Sequence, residues 1–500
     1  MKNWVFIFLL MMVLPQAKSQ SPYYQFNDKC KQAYEKLLFL QLDSAQLLIE
    51  IEEQENPNNL IPVLLSNYRD FLQLVLSEDK TLFEEIKERK KDRLNRWEEG
   101  PEDSPWFLSG QAQIKLQWAF TRVLFDEYFT AATEINSAYH LMEKNKELFP
   151  EFLEDNMGLG ILHAMIGVVP EQYQWAMEML GLFGSIDQGV EEMQKQLMQK
   201  GNHPFSKEAL FYFTFVRLNL QTDSSRFQEL LDIYENDLYK NYASQSPLLH
   251  FSKAAVLLKM DNDLAIEHLK NAPHQDDAIY FYYSDFLLGQ ALLFKLADES
   301  GEYFKKYLLD YSGKNYKKTA LQKWAWGAFI KGDTAAYLKA MKDIPNIGSS
   351  VFDADKVAQK ESDRVEEESW LPNLYLLRSR LQFDGHYYQG ALNELSKLKP
   401  LQTDQNTQLE YHYRRARILH EMNRLDEAKT EYALALEKGE ESERYFAANS
   451  ALKLGEIAEL QAKDNKAIQY YEKVLDLDFS EYRKGIRAKA KAGLQRVEKD

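Results

Sequence analysis

From about residue 22 onward, apolar positions recur at intervals of three and four. This is the spacing of one buried face on an α-helix. Strong helix formers dominate, β-branched runs are scarce, and no stretch alternates long enough to suggest a sheet. In the C-terminal part the pattern has a finer structure. Ala416 and Ala428 stand twelve apart and are followed by Tyr432; Gly455 and Ala467 stand twelve apart and are followed by Tyr471. Small residues at those two points let two antiparallel helices approach closely. An aromatic four residues after the second small one lies on the same face and can plug the next hairpin. Neither hairpin can bury its apolar face alone, so the hairpins must stack.

The spacing predicts further helix pairs upstream. Leu371–Phe383 and Tyr387–Leu398 flank an Asp384-Gly385 turn, with Ser379 and Ala391 as the small pair and Leu395 following. Leu248–Lys259 and Asp263–Lys270 flank Met260-Asp261-Asn262, and Leu321–Ile330 and Ala335–Met341 flank Gly332-Asp333. Ala33, Ala45 and Pro57 carry the same spacing near the start. Breaks are expected at Pro101–Pro105 and at Gly201-Asn-His-Pro204.

Residues 348–369 are weakly patterned and crowded with Asp353, Asp355, Glu361, Asp363, Glu366, Glu367 and Glu368. They read as an acidic linker, a charged helix or a mobile loop forming a solvated connector. The expected organisation is therefore 20–347 as degenerate hairpin repeats, 348–369 as linker and 370–500 as a regular repeat block.

The repeat pattern resembles the tetratricopeptide repeat. Leu454-Gly455, Ala467 and Tyr471 follow its small, small, aromatic core, and Ala416, Ala428 and Tyr432 follow it again, with Asn423 at the turn. The leading Trp and closing Pro of the family are missing in both. The resemblance implies an all-α, right-handed superhelix (an α-solenoid) of hairpins whose first helices line a concave groove. In that register the partner-binding positions are Tyr413, Arg417, His420 and Glu421, then Leu452, Glu456 and Glu459. Their mixed charge favours a protein or peptide segment over a polyanion.

A broader resemblance covers about residues 24 to 479. Gly158-Leu-Gly-Ile-Leu-His-Ala-Met-Ile-Gly-Val-Val-Pro170, then Leu180-Gly-Leu-Phe-Gly184 and Gly189, looks like the apolar signature of the tetratricopeptide repeat protein thirty-nine family and its fungal inclusion-body-clearance relatives. That family carries no known enzymatic residues and is linked to lipid handling and aggregate clearance. It implies an alternative function, a carrier of an apolar ligand or lipid in a cavity near residues 158–184.

Composition narrows the compartment. Lys2, an apolar run of 11 residues from Trp4 to Leu14, Pro15 and then Ala17-Lys18-Ser19 have the order of a secretory signal peptide over residues 1–19. The run is shorter than the roughly 20 residues of a spanning helix. No later apolar run is long enough either, so no membrane span is expected in the mature chain. The single cysteine, Cys30, excludes an internal disulfide framework and reads as a half-buried small residue in a helix. Export without disulfides suits a periplasm. The formal net charge of -16 and mean hydropathy of -0.51 disfavour a nucleic-acid binder and a polytopic membrane protein.

Candidate chemistry is sparse. There is no HExxH helix, no phosphate-binding GxxxxGK[ST] loop and no GxSxG elbow. No metal, cofactor or catalytic residue is therefore expected. Glu299-Ser300 has the dipeptide of a lytic transglycosylase acid without that family's surrounding motifs, which leaves a cell-wall hydrolase accessory as the remaining alternative. The expectation is an exported, non-enzymatic scaffold or adaptor.

Overall fold

The computed structural model describes residues 21–198, 205–275 and 277–498. The expected leader and the Gly201–Pro204 break lie outside them. The described residues form twenty-seven α-helices and no strand, with an isolated bridge between Tyr23 and Asn59. Among them no helix is long and apolar enough to cross a membrane.

The chain forms two compact units. The first comprises Met1–Val75, Lys80–Val216 and Asp276–Ile279. Its helices are α1 (Asp28–Leu38), α2 (Leu42–Glu55), α3 (Ile61–Ser77), α4 (Lys80–Ile86), α5 (Arg89–Trp97), α6 (Pro105–Leu124), α7 (Tyr128–Leu148), α8 (Asn156–Gly167), α9 (Glu171–Met179), α10 (Ile186–Leu197) and most of α11 (Ser206–Leu220). Cys30 is buried in α1, where burial pushes its thiol up to about 12. Ser104 caps α6 ahead of Pro105, so the expected break ends in a helix start.

The glycines of the apolar signature serve close helix packing. α8 crosses α10 so tightly that a Cβ on Gly160 would lie 2.7 Å from the Gly189 carbonyl oxygen. His163, buried in α8, is hydrogen-bonded through Nδ1 to the Glu192 carboxylate of α10 at 2.5 Å.

The second unit comprises Leu76–Asp79, Arg217–Gln275 and Tyr280–Asp500. Its helices are α12 (Arg226–Glu235), α13 (Lys240–Ala243), α14 (Pro247–Leu257), α15 (Asn262–Lys270), α16 (Tyr282–Phe294), α17 (Ser300–Asp310), α18 (Lys317–Ile330), α19 (Thr334–Asp343), α20 (Asp353–Glu368), α21 (Leu374–Asp384), α22 (Tyr388–Ser396), α23 (Gln405–Glu421), α24 (Leu425–Lys438), α25 (Phe446–Leu460), α26 (Asp464–Asp476) and α27 (Arg483–Val497). Within this unit consecutive helices pack as neighbours from α12 to α20 and again from α21 to α27, consistent with an α-solenoid. Hairpins α16/α17, α18/α19, α21/α22, α23/α24 and α25/α26 turn through a left-handed residue: Leu296, Gly332, His386, Asn423 and Ala462. The small residues Ala416, Ala428, Gly455 and Ala467 are buried, and Tyr432 and Tyr471 are wholly enclosed.

The acidic segment is not a bare connector. It is helical as α20, and Asp355, Ala358, Ser362 and Val365 form its buried face. The Asp355 carboxylate accepts hydrogen bonds from the backbone N–H groups of Tyr316 (2.8 Å) and Thr319 (2.9 Å) and from the Thr319 hydroxyl (2.8 Å). It thereby caps α18 from a neighbouring helix, satisfying donors that the first helical turn leaves open.

Candidate functional site

The first helices of the last hairpins touch one another in sequence, α21 with α23, α23 with α25 and α25 with α27. The seven expected binding residues lie on this row, with unequal exposure. Glu421 is exposed, and Arg417, His420, Glu456 and Glu459 are half-buried. Tyr413 and Leu452 are core residues instead, 3% and 2% exposed.

The cause is the packing between successive first helices. Tyr413 on α23 lies against Tyr445 and Phe446 at the start of α25, with its ring 5.0 Å from that of Phe446. Its hydroxyl accepts from Asn449 Nδ2 at 2.6 Å and from Arg417 Nη1 at 3.2 Å. Leu452 belongs to the cluster around Ala467 and Tyr471.

The remaining groups are held by neighbours. Arg417 lies over the Phe383 ring, 5.0 Å from its centroid. His420 is within 3.3 Å of the Tyr432 hydroxyl, and burial together with nearby Lys453 pulls its imidazole below the usual histidine range. Glu456 pairs with Lys453 at 2.6 Å. Glu459 accepts from Arg496 Nε at 2.7 Å and from the Tyr471 hydroxyl at 2.5 Å. The Arg496 bond is the first cause that keeps this carboxyl below the usual range. Glu459 therefore ties α25 to α27 and α26, whereas Arg417, Glu421 and Glu456 leave charges of both signs along the row, with Glu421 exposed and the other two half-buried.

A cavity of about 540 Å³ opens further along the same unit. It lies among α18, α20, α21 and the N-terminal half of α23, with Arg444 reaching in from the turn before α25. Sequence reasoning missed it. Trp326, Arg380 and Arg444 carry no motif, and residues this far apart in the chain meet only through stacking.

The other expected sites are placed as follows. The cavity that reaches Gly158 and Ile161, in the first unit, has about 30 Å³. That is room for about one water molecule, not for an acyl chain. Glu299 is exposed and pairs with Lys270 at 3.3 Å. Among the described residues no cluster of His, Cys, Asp and Glu has metal-binding geometry.

No protein-family model matches the chain, and no curated protein matches it.

Proposed function

We propose that the chain is an exported, non-enzymatic adaptor of tetratricopeptide type that binds a segment of a protein or peptide partner along the row of α21, α23, α25 and α27. One observation carries the reading: the first helices of successive hairpins adjoin, and Arg417, Glu421 and Glu456 leave charged groups of both signs on that row. A strip of this kind suits an extended polypeptide, whose polar groups it can meet at intervals, better than a long polyanion. The functional step from fold to partner is an analogy with repeat proteins, and the leader-like N-terminus supports a periplasmic location. The test is affinity capture of the tagged chain from envelope fractions, comparing the wild type with Arg417→Glu and Glu456→Lys. The adaptor reading expects a reproducible polypeptide partner whose recovery drops with both reversals. Unchanged recovery removes this strip as the binding surface.

A second reading rests on a separate observation in the first unit. Met165, Val168, Tyr173, Trp175, Met179, Leu180 and Phe183 are all exposed around α9. So many large apolar groups together favour an apolar partner resting on the outside of this unit, a lipid surface included. Flotation with phosphatidylethanolamine–phosphatidylglycerol vesicles decides it: the protein floats and Trp175→Ser, Phe183→Ser abolishes flotation, or the reading is discarded.

A further inference from the structure

The cavity among α18, α20, α21 and α23 has an imbalance between its acids and its bases. Its three carboxylates are all engaged. Glu361 accepts from Trp326 Nε1 at 2.8 Å, Gln322 Nε2 at 2.6 Å and the Tyr337 hydroxyl at 3.0 Å. Asp404 accepts from the backbone N–H of Thr407 at 3.0 Å and from its hydroxyl at 2.6 Å. Glu410 accepts from Arg414 Nε at 2.7 Å.

The guanidinium groups are not consumed to the same degree. Arg364 lies on the Trp370 indole, 4.3 Å from its centroid, and donates to Glu368 at 2.9 Å. Arg380 lies over the Trp326 ring, 5.0 Å from its centroid, and neither it nor Arg444 donates a side-chain hydrogen bond to any described residue. Their nearest carboxylates, Asp384 and Glu410, stand off at 3.9 Å and 3.8 Å. Each guanidinium carries five N–H donors in a fixed fork, the geometry that grips a carboxylate or phosphate. Burial first, and then the positive charge of Arg380, push the neighbouring Lys323 ammonium down to about 8.

We propose that this cavity binds a small organic anion, a carboxylate or phosphate monoester on a ring-sized body, with its oxyanion on Arg380 and Arg444 and its ring against Trp370. The volume of about 540 Å³ far exceeds an inorganic ion and falls among small-molecule sites, which run roughly 300–1,000 Å³. Trp370 offers a flat apolar edge beside the guanidinium groups, so one ligand can meet both. The site uses the Asp404 cap of α23 and its residues up to Arg414, whereas the adaptor strip uses Arg417 and Glu421. The anion site therefore stands apart from the adaptor reading and survives its failure.

The test is isothermal titration calorimetry on the full chain without its leader. The probes are glucuronate, glucose 6-phosphate and phenyl phosphate, with glucose, inorganic phosphate and a hexaglutamate peptide as controls. At least one ring-bearing anion binds about tenfold more tightly than glucose or inorganic phosphate. That affinity falls about tenfold or more in Arg380→Gln and in Arg444→Gln. Trp370→Leu weakens the ring-bearing anion but leaves inorganic phosphate unchanged, and this variant at a half-buried position decides the matter if an arginine variant fails to fold. The proposal is overturned if none of the three ring-bearing anions binds better than inorganic phosphate. It is equally overturned if both arginine variants bind as the wild type does, or if only the hexaglutamate peptide binds.

Discussion

The ring of Tyr471 fills the space that Gly455 leaves empty: a Cβ on Gly455 would lie 2.5 Å from Tyr471 Cε1. The other side of the ring meets Gly493 of α27, where an added Cβ would come equally close, 2.5 Å from Cζ. One wholly buried tyrosine therefore joins its own hairpin to the helix that follows. Gly455→Ala is expected to cost about 1–3 kcal/mol by overpacking, and Tyr471→Ala about 3–5 kcal/mol by leaving a cavity. Denaturant melts of both variants check this. Gly455→Ala at wild-type stability would mean that the ring is not tightly held.

The turn of the same hairpin offers a test of opposite sign. Ala462 has φ of 51°, a left-handed conformation in which its Cβ crowds the backbone. Ala462→Gly relieves that strain, partly offset by greater freedom of the unfolded chain. A net gain of about 0.5–1 kcal/mol is expected in the same melts. Asn423, at the corresponding turn with φ of 57°, already tolerates the conformation, so Asn423→Gly should change little.

Two buried carboxyls make the first unit sensitive to pH. Asp155 accepts from Ser109 Oγ at 2.5 Å and from Asn145 Nδ2 at 2.6 Å, and Glu208 accepts from the hydroxyls of Tyr34, Tyr68 and Tyr212. Burial outweighs these bonds and pushes each carboxyl up to about 7. Their unfolded values lie near 4, so between about pH 4 and 7 the folded state binds more protons than the unfolded one. Stability contributed by these groups therefore falls as pH rises through that window. Asp155→Asn and Glu208→Gln should flatten the slope of unfolding free energy against pH between about 4 and 7. A slope identical to the wild type in both variants would contradict the assignment.

The small–small–aromatic hairpins were legible in the sequence because their geometry is local. Ala416, Ala428 and Tyr432 must meet if the two helices pair at all. The faces of those helices were less legible. Tyr413 shares a stripe with Arg417, one turn away, but periodicity does not say which neighbour covers the stripe, and Tyr445 and Phe446 cover Tyr413. The acidic helix α20 was obscured for another reason. Its inner face is Asp355, Ala358, Ser362 and Val365, which a hydrophobic pattern does not register.

Asp355 shows what such a polar inner face does. Asp355→Ala removes the acceptor of two backbone N–H groups and a hydroxyl at the start of α18. A loss of about 1–3 kcal/mol is expected, together with faster amide exchange at Tyr316 and Thr319. Hydrogen exchange that stays unchanged there would place the cap elsewhere.

The most direct measurement of the adaptor reading is site-specific photocrosslinking in intact cells. A photoreactive phenylalanine analogue is placed at Glu421 or Glu456 on the row of first helices, and at the exposed Thr430 on the second helix α24 as the control. The account predicts one polypeptide adduct shared by the positions at Glu421 and Glu456 and absent at Thr430. Adducts of equal yield at all three positions, or at Thr430 alone, would contradict it.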